Sequence, residues 1–141
     1  MINIFRILVV VIFCALALNS CKKRSSDSYF MQATVNGVQF SSSDCIAVYD
    51  ASTGGYRICG GKIVDSSIAG FPYIAIDIYY KGGTYSLSNY EAFVDSGGRV
   101  PLSVSGTTTI TVNSTNISGT FNFIDQDSNH VNNGTFVARK L

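Results

Sequence analysis

Residues that build catalytic and metal centres are scarce in this sequence, which has one histidine, His130, and one glutamate, Glu91. A Ser-His-Asp set would have to use His130, and no nucleophile-elbow pattern surrounds it. A single histidine is also too few ligands for zinc. No spacing singles out a carboxylate pair among Asp77, Glu91 and Asp95. We therefore expect a protein that is not an enzyme, with no catalytic residue, no metal and no cofactor; an enzyme of unknown type ranks third.

Charge is scarce as well, because 13% of the residues are charged and the formal net charge is +1. A nucleic-acid-binding protein needs a basic stripe or patch, and the body of this chain has none, so no nucleic acid is expected among its partners. Long runs of helix-forming residues are also missing. Ser, Thr, Asn, Gly and Tyr are abundant instead, a composition typical of strands and turns.

Near the N-terminus, the apolar run Ile7–Leu18 follows the single charge of Arg6, a pattern typical of an export signal. The run of about 12 residues is shorter than the roughly 20 that a membrane-spanning helix needs. Leu18-Asn19-Ser20-Cys21 then reads as a lipoprotein cleavage box, which predicts that Cys21 is lipidated. A retained membrane helix and a plain secretory signal cleaved nearby are the alternatives.

These features divide the chain into a lipoprotein signal at residues 1–20, the lipidated Cys21 with a polar tether at residues 21–28, and a single β domain at residues 29–141. Two or more acyl chains anchor a protein stably, so the membrane itself is the first expected partner. The basic run at residues 22–24 either adds attraction to anionic headgroups or is simply solvated.

The four cysteines are predicted to have different fates. Cys14 leaves with the signal and Cys21 carries lipid, so Cys45 and Cys59 remain as an even pair in an oxidising compartment. Folding this part of the chain as a hairpin about Ser52 places Cys45 opposite Cys59. We therefore expect a structural disulfide between them; a redox-active pair is the alternative, although CxxC spacing is absent.

Alternating apolar and polar residues with frequent turns indicate short strands. Asn36-Gly37 lies between two alternating segments and is a strong hairpin signal, which places Val38 and Phe40 on one face. Phe71–Tyr80 alternates with period two, as a half-buried strand does. The whole pattern predicts an all-β fold of about 9–11 short strands, either an antiparallel β-sandwich or a small closed barrel.

The last third of the chain predicts a closing hairpin between residues 117–124 and 131–139, each containing Gly-Thr-Phe. With Ile124 facing Val131, each phenylalanine covers a glycine of the partner strand, an arrangement known as aromatic rescue. The predicted pairs are Phe121 with Gly134 and Phe136 with Gly119.

Two segments could hold a ligand. Tyr73, Asp77 and Tyr79 share one strand face, where aromatic rings beside a carboxylate could bind a sugar or could simply be packed under another layer. Asp125–Asn129 resembles the start of a calcium loop, but the glycine and glutamate that an EF-hand requires at its sixth and twelfth places are missing. A polar hairpin turn is the favoured interpretation of this segment, with a weak calcium site as the alternative.

The segments FMQATVNGVQF, GTYSL and TITV…ISGTFNF…NNGTF resemble a group of small, uncharacterised Bacteroidota lipoproteins that are classed as a domain of unknown function. The likeness covers most of residues 29–138 and rests on turns and strand pairs. It implies a lipoprotein of the cell envelope, at the outer membrane. The tether CKKRSSDS is basic, whereas acidic residues after the cysteine are associated with surface export in that phylum, so both a periplasmic and a surface-facing location stay open.

The leading functional hypothesis is a non-enzymatic envelope lipoprotein, a binding or structural module whose partner is a glycan, a small hydrophobic ligand or an envelope protein. The alternative is a lipocalin-like carrier of a small hydrophobic ligand, which requires an open cavity of several hundred Å³. A packed interior favours the module.

Overall fold

The computed structural model describes residues 28–64, 67–70, 72–79, 82–88, 91–97 and 100–141. The predicted signal and Cys21 lie outside these residues. The described chain is all-β, as predicted, and none of its residues form a helix that is long and apolar enough to cross a bilayer. The strands are β1 (Phe30–Val35), β2 (Val38–Ser42), β3 (Cys45–Asp50), β4 (Gly55–Gly60), β5 (Ile63–Val64), β6 (Ser67–Ile68), β7 (Tyr73–Ile78), β8 (Gly83–Ser86), β9 (Ala92–Asp95), β10 (Ser103–Val112), β11 (Asn116–Asp125) and β12 (His130–Lys140).

One large sheet runs in the order β8-β10-β11-β12-β3-β4-β7-β9, with β1 and β2 branching from β12, while β5 and β6 form a separate hairpin. The sheet curls into a half-barrel. A single antiparallel bridge between Phe93 of β9 and Leu102, just before β10, joins strands far apart in this order. The twelve strands exceed the predicted number because the two-residue strands β5 and β6 are counted.

One pairing departs from the predicted antiparallel arrangement, because β12 and β3 pair in parallel. Strand β12 has 11 residues, enough for two neighbours along one edge. Its first part pairs with β1 as far as Val137, and its end pairs with β3 at Arg139 and Lys140. The long last strand therefore joins the β1–β2 branch to the rest of the sheet.

The inner face of the curled sheet holds the main hydrophobic core. In β7, Ile74, Ile76 and Ile78 alternate toward this core, which confirms the predicted period of two. The fully buried large side chains of the described residues are Phe123, Phe136, Met31, Ile46, Ile58, Ile74, Ile76, Leu87, Ile117, Val131, Thr108 and Asp125, of which Ile46 lies on the other face. The interior is thus packed with side chains from nearly every long strand.

The outer face of β3, β4 and β7 carries a second, smaller cluster. Its buried members are Ile46, Cys59 and Ala75, and the β5–β6 hairpin covers them with Ile63 and Ile68. These strands are therefore buried over residues 45–47, 58–60 and 74–76. Among the described residues, the outer cover is one short hairpin beside the rings of Tyr73 and Phe93.

The closing hairpin of β11 and β12 has both predicted glycine–phenylalanine pairs, Phe121 with Gly134 and Phe136 with Gly119. A Cβ on Gly134 would lie 2.5 Å from the ring of Phe121, so the ring occupies the space that a side chain would need. The predicted pairing of Ile124 with Val131 is wrong, because Val131 faces Phe123 and Ile124 faces His130. A β-bulge next to Gly134, with Asn133 at a φ of 53°, shifts the register by one residue.

The predicted disulfide is wrong, because Cys45 and Cys59 are both free and lie on opposite faces of the sheet. Cys45 faces Gly60, and Cys59 faces Ile46. The register differs by one residue from a fold about Ser52, which would pair Asp50 with Gly54. Asp50 pairs with Gly55 instead, and Gly54, at a φ of 70°, lies in the turn and donates its N–H to the carbonyl of Asp50. A one-residue change of register turns every side chain to the other face.

Candidate functional site

Tyr73, Asp77 and Tyr79, the predicted ligand-binding residues, do not form one site. Asp77 faces Arg57 across β4 and β7 and accepts two hydrogen bonds from it, at 2.6 and 2.7 Å. With Tyr79 it lines a hollow of about 100 Å³, too small for a sugar. The bidentate pair occupies the carboxylate that a ligand hydroxyl would need.

Tyr73 lies in a different place and is packed. Its ring contacts Phe93 edge to face, with the ring centroids 5.8 Å apart. Burial raises the pKa of Tyr73, and a hydrogen bond with Asp95 raises it further. With Asp95 and Ile68 it lines a hollow of about 360 Å³ beside the β5–β6 hairpin. These contacts favour the interpretation in which Tyr73 is packed against its neighbours over the one in which its ring binds a sugar.

The segment that resembles a calcium loop is a polar turn organised by Asp125. This buried carboxylate accepts hydrogen bonds from the backbone N–H of Asp127 and from the backbone and side-chain N–H groups of Asn129, at 2.8–3.0 Å. Among the described residues, no cluster of three metal-ligating side chains occurs. His130, which follows the turn, is exposed and donates its backbone N–H to Asn36.

The two thiols are poor nucleophiles in the folded protein. Burial raises the pKa of Cys59 to about 11 and raises the pKa of Cys45 further. Their exposed fractions are 4% for Cys59 and 0% for Cys45. Because the thiolate is the reactive form, neither cysteine has the exposure or the charge of a catalytic residue.

An open groove of about 680 Å³, which we call the β2 groove, is lined by the β1–β2 hairpin and by residues from several later parts of the chain. One wall is the continuous run of residues 38–43, that is, β2 and the residue after it. The described residues lining it are Val35, Val38, Gln39, Phe40, Ser41, Ser42, Ser43, Gly61, Lys62, Pro72, Val94, Ser96, Pro101, Asp127 and Asn129. Its volume is within the range of small-ligand pockets.

Hydrogen bonds hold the β2 wall at both ends. At the tip of the hairpin, Asn36 donates its backbone N–H to His130 and its side-chain amide to Asn129, at 2.9 and 2.6 Å. At the other end, the buried hydroxyl of Ser42 donates to the carbonyl of Gly61 and accepts from the N–H of Asp44. The groove therefore lies between elements that are fixed to each other.

The groove is weakly charged and partly apolar. Lys62 and Asp127 are its charged residues in the described lining, among serine hydroxyls and the apolar side chains of Phe40, Val94 and two prolines. Val38 lines the groove and is 71% exposed, although Phe40, two residues later on the same face of β2, is buried in the core. An exposed valine beside polar groups gives the groove both apolar and hydrogen-bonding contacts.

Sequence reasoning missed this groove, because its walls come from distant parts of the chain. The only local signals were the Asn36-Gly37 hairpin and the uncharged sequence of β2, VQFSS. A search of protein-family models, of curated protein sequences and of solved structures found no match to this chain.

Proposed function

We propose that this chain is a non-enzymatic, lipid-anchored module of the bacterial cell envelope, attached to the outer membrane through Cys21, which binds its partner in the β2 groove. The observation that supports binding of a partner is the groove itself, an open concavity in a protein whose interior is packed. The lipoprotein box and the likeness to Bacteroidota lipoproteins carry the location.

The packed interior favours the module over a lipocalin-like carrier, because a carrier holds its ligand inside the barrel. The groove volume of about 680 Å³ nevertheless suits a small hydrophobic molecule, so such a ligand is the second candidate, bound in the groove.

Anchoring is tested by feeding cells that express the full chain an alkyne-tagged fatty acid. We expect label on the wild-type protein and on Cys14→Ala, and none on Cys21→Ala. Mass spectrometry of the mature N-terminus should begin at an acylated Cys21. Label that persists in Cys21→Ala, or an N-terminus elsewhere, would remove the anchored part of the proposal.

Binding of a hydrophobic ligand is tested with a fluorescent fatty-acid analogue and the purified full chain in detergent. The second candidate predicts binding that Val38→Asp weakens at least tenfold. Val104→Asp is the matched control, because Val104 is 51% exposed on β10 and does not line the groove. Equal effects of both variants would exclude the groove as the site.

A further inference from the structure

We propose that the β2 groove takes an extended, weakly charged peptide segment of a partner protein, which adds to the free edge of β2 as a further strand. This inference rests on the binding function proposed above and names the class of partner. In the described part of the chain, β2 pairs with β1 and with no other strand, so its second edge is open.

The backbone of β2 shows which groups face the groove. The two-residue Asn36-Gly37 turn closes on the pair Val35 and Val38, which exchange backbone hydrogen bonds in such hairpins. Bonded and non-bonded pairs alternate along an antiparallel ladder. The N–H and C=O groups of Gln39 and Ser41 therefore point away from β1, toward the open edge.

Natural edge strands are usually protected by charged residues, proline or bulges, and β2 has no such residue in the sequence VQFSS. The two terminal strands of the main path are less suited to pairing. Strand β8 has four residues and begins with Gly83 at a φ of 126°, and β9 has four residues and is bridged at Phe93 to Leu102. At about 3.4 Å per residue, the five residues of β2 offer roughly 17 Å of edge.

The surroundings of the edge favour a peptide over a small apolar molecule. Strand addition gives affinity through main-chain hydrogen bonds and uses pockets for alternate side chains. The groove is lined by every residue of β2, from both of its faces, together with Pro72, Val94 and Pro101, so the strand edge and apolar side chains border the same concavity. An apolar ligand would fill the groove but leave the backbone groups of Gln39 and Ser41 without a protein partner.

The probe is a fluorescein-labelled peptide of about seven alternating valine and threonine residues, with blocked ends, and binding to the full chain in detergent is measured by fluorescence anisotropy. Two matched peptides are N-methylated, one on the odd-numbered amides and the other on the even-numbered amides. Each peptide therefore has its N–H groups blocked on one edge of the strand. We expect the unmethylated peptide to bind and at least one methylated peptide to bind at least tenfold more weakly. No binding of the unmethylated peptide, or equal binding of all three, overturns the proposal.

On the protein, Ser41→Pro removes the outward N–H without removing a bond to β1, because proline is tolerated at edge positions of this kind. We expect it to weaken peptide binding at least tenfold, and its melting temperature, compared with that of the wild type, shows whether the variant is folded. If Ser41→Pro does not fold, the methylated peptides alone decide the result.

A second copy of this chain would use the same edge, so light scattering of the protein in detergent is the companion measurement. A dimer that Ser41→Pro dissociates would replace the peptide with a second protomer and overturn the proposal. Fatty-acid labelling at Cys21 and binding of the fatty-acid analogue do not depend on peptide binding, so failure of this inference is distinguishable from failure of the proposed function.

Discussion

The two faces of the wall formed by β3, β4 and β7 differ in how firmly they are covered. The inner face belongs to the main core, where Ile58, Ile74 and Ile76 are fully buried. The outer face has a small cluster around Cys59, covered by the two-residue strands of the β5–β6 hairpin. The same strands thus meet a large core on one side and a light cover on the other. This difference predicts that stability is set inside and local opening occurs outside.

The strongest test of this comparison uses the same substitution on each face. Ile76→Ala removes a fully buried inner side chain and should lower the free energy of unfolding by about 2–5 kcal/mol. Ile68→Ala removes a partly buried side chain of the outer cover and should cost about 1 kcal/mol. Urea unfolding measures both. Equal losses would show that the two faces contribute alike.

The cysteines, one on each face, report opening directly. Both thiols are buried and carry raised pKa values, so reaction with iodoacetamide requires that the chain open. Cys59 belongs to the small outer cluster under the β5–β6 hairpin and needs that light cover to move, whereas Cys45 needs the main core to open. We expect Cys59 to react at least tenfold faster, as measured by mass spectrometry of the peptides.

Ile68→Ala should speed the reaction of Cys59. The labelling rate of Cys45 should change only as far as the rate of global unfolding changes. A mass about 2 Da below that of the reduced protein, with no alkylation of either cysteine, would show a disulfide between Cys45 and Cys59. That result would contradict the strand register of β3 and β4. Faster labelling of Cys45 than of Cys59 would reverse the comparison between the faces.

The difference between the faces also explains what the sequence could predict. Alternation identified the inner face of β7, and the Asn36-Gly37 turn and the glycine–phenylalanine pairs located two hairpins. These features depend on residues that are close in sequence, or on the alternation of side chains between the two faces that every strand has.

The features that escaped prediction depend on one-residue details or on distant contacts. Asp50 pairs with Gly55 rather than with Gly54, and this one-residue difference in register places the two cysteines on opposite faces. The β2 groove brings Phe40 near Val94 and Pro101, more than fifty positions later in the sequence. The adjacent Gly54 and Gly55 are compatible with either turn register, and the groove depends on how the whole sheet curls, so neither feature can be read from a local pattern.

The ion pair on the outer face should contribute little to stability. Arg57 is 55% exposed and Asp77 20% exposed, so solvent screens their attraction. A double-mutant cycle with Arg57→Ala and Asp77→Asn should give a coupling energy of about 0.2–1 kcal/mol that shrinks in high salt. Arg139→Ala is the control, because Arg139 has no ion pair among the described residues. A coupling energy that salt does not change would contradict a solvent-screened pair.

The smallest expected effect is the pH dependence at Glu91, whose backbone carbonyl accepts the N–H of Asp77. Burial, and then the charge of Asp77, raise the pKa of Glu91 above its ordinary value of 4.5. The folded state therefore resists its ionisation, so this contribution to stability is present below pH 4.5 and is lost as the pH rises through the folded-state pKa. Relative to the wild type, Glu91→Gln should gain roughly a few tenths of a kcal/mol between pH 4 and pH 7, since solvent screens this partly exposed group.

Asp50, the last residue of β3, provides a control of opposite sign. Hydrogen bonds from Ser52 lower the pKa of Asp50 below its ordinary value of 3.8, so its contribution is present above that pH and is lost as the pH falls through the folded-state pKa. Thermal unfolding of Glu91→Gln and Asp50→Asn from pH 2 to pH 7 should therefore give difference curves of opposite slope. Curves of the same slope would mean that the environment of Glu91 does not oppose its charge, and that the outer face tolerates ionisation as readily as the open turn does.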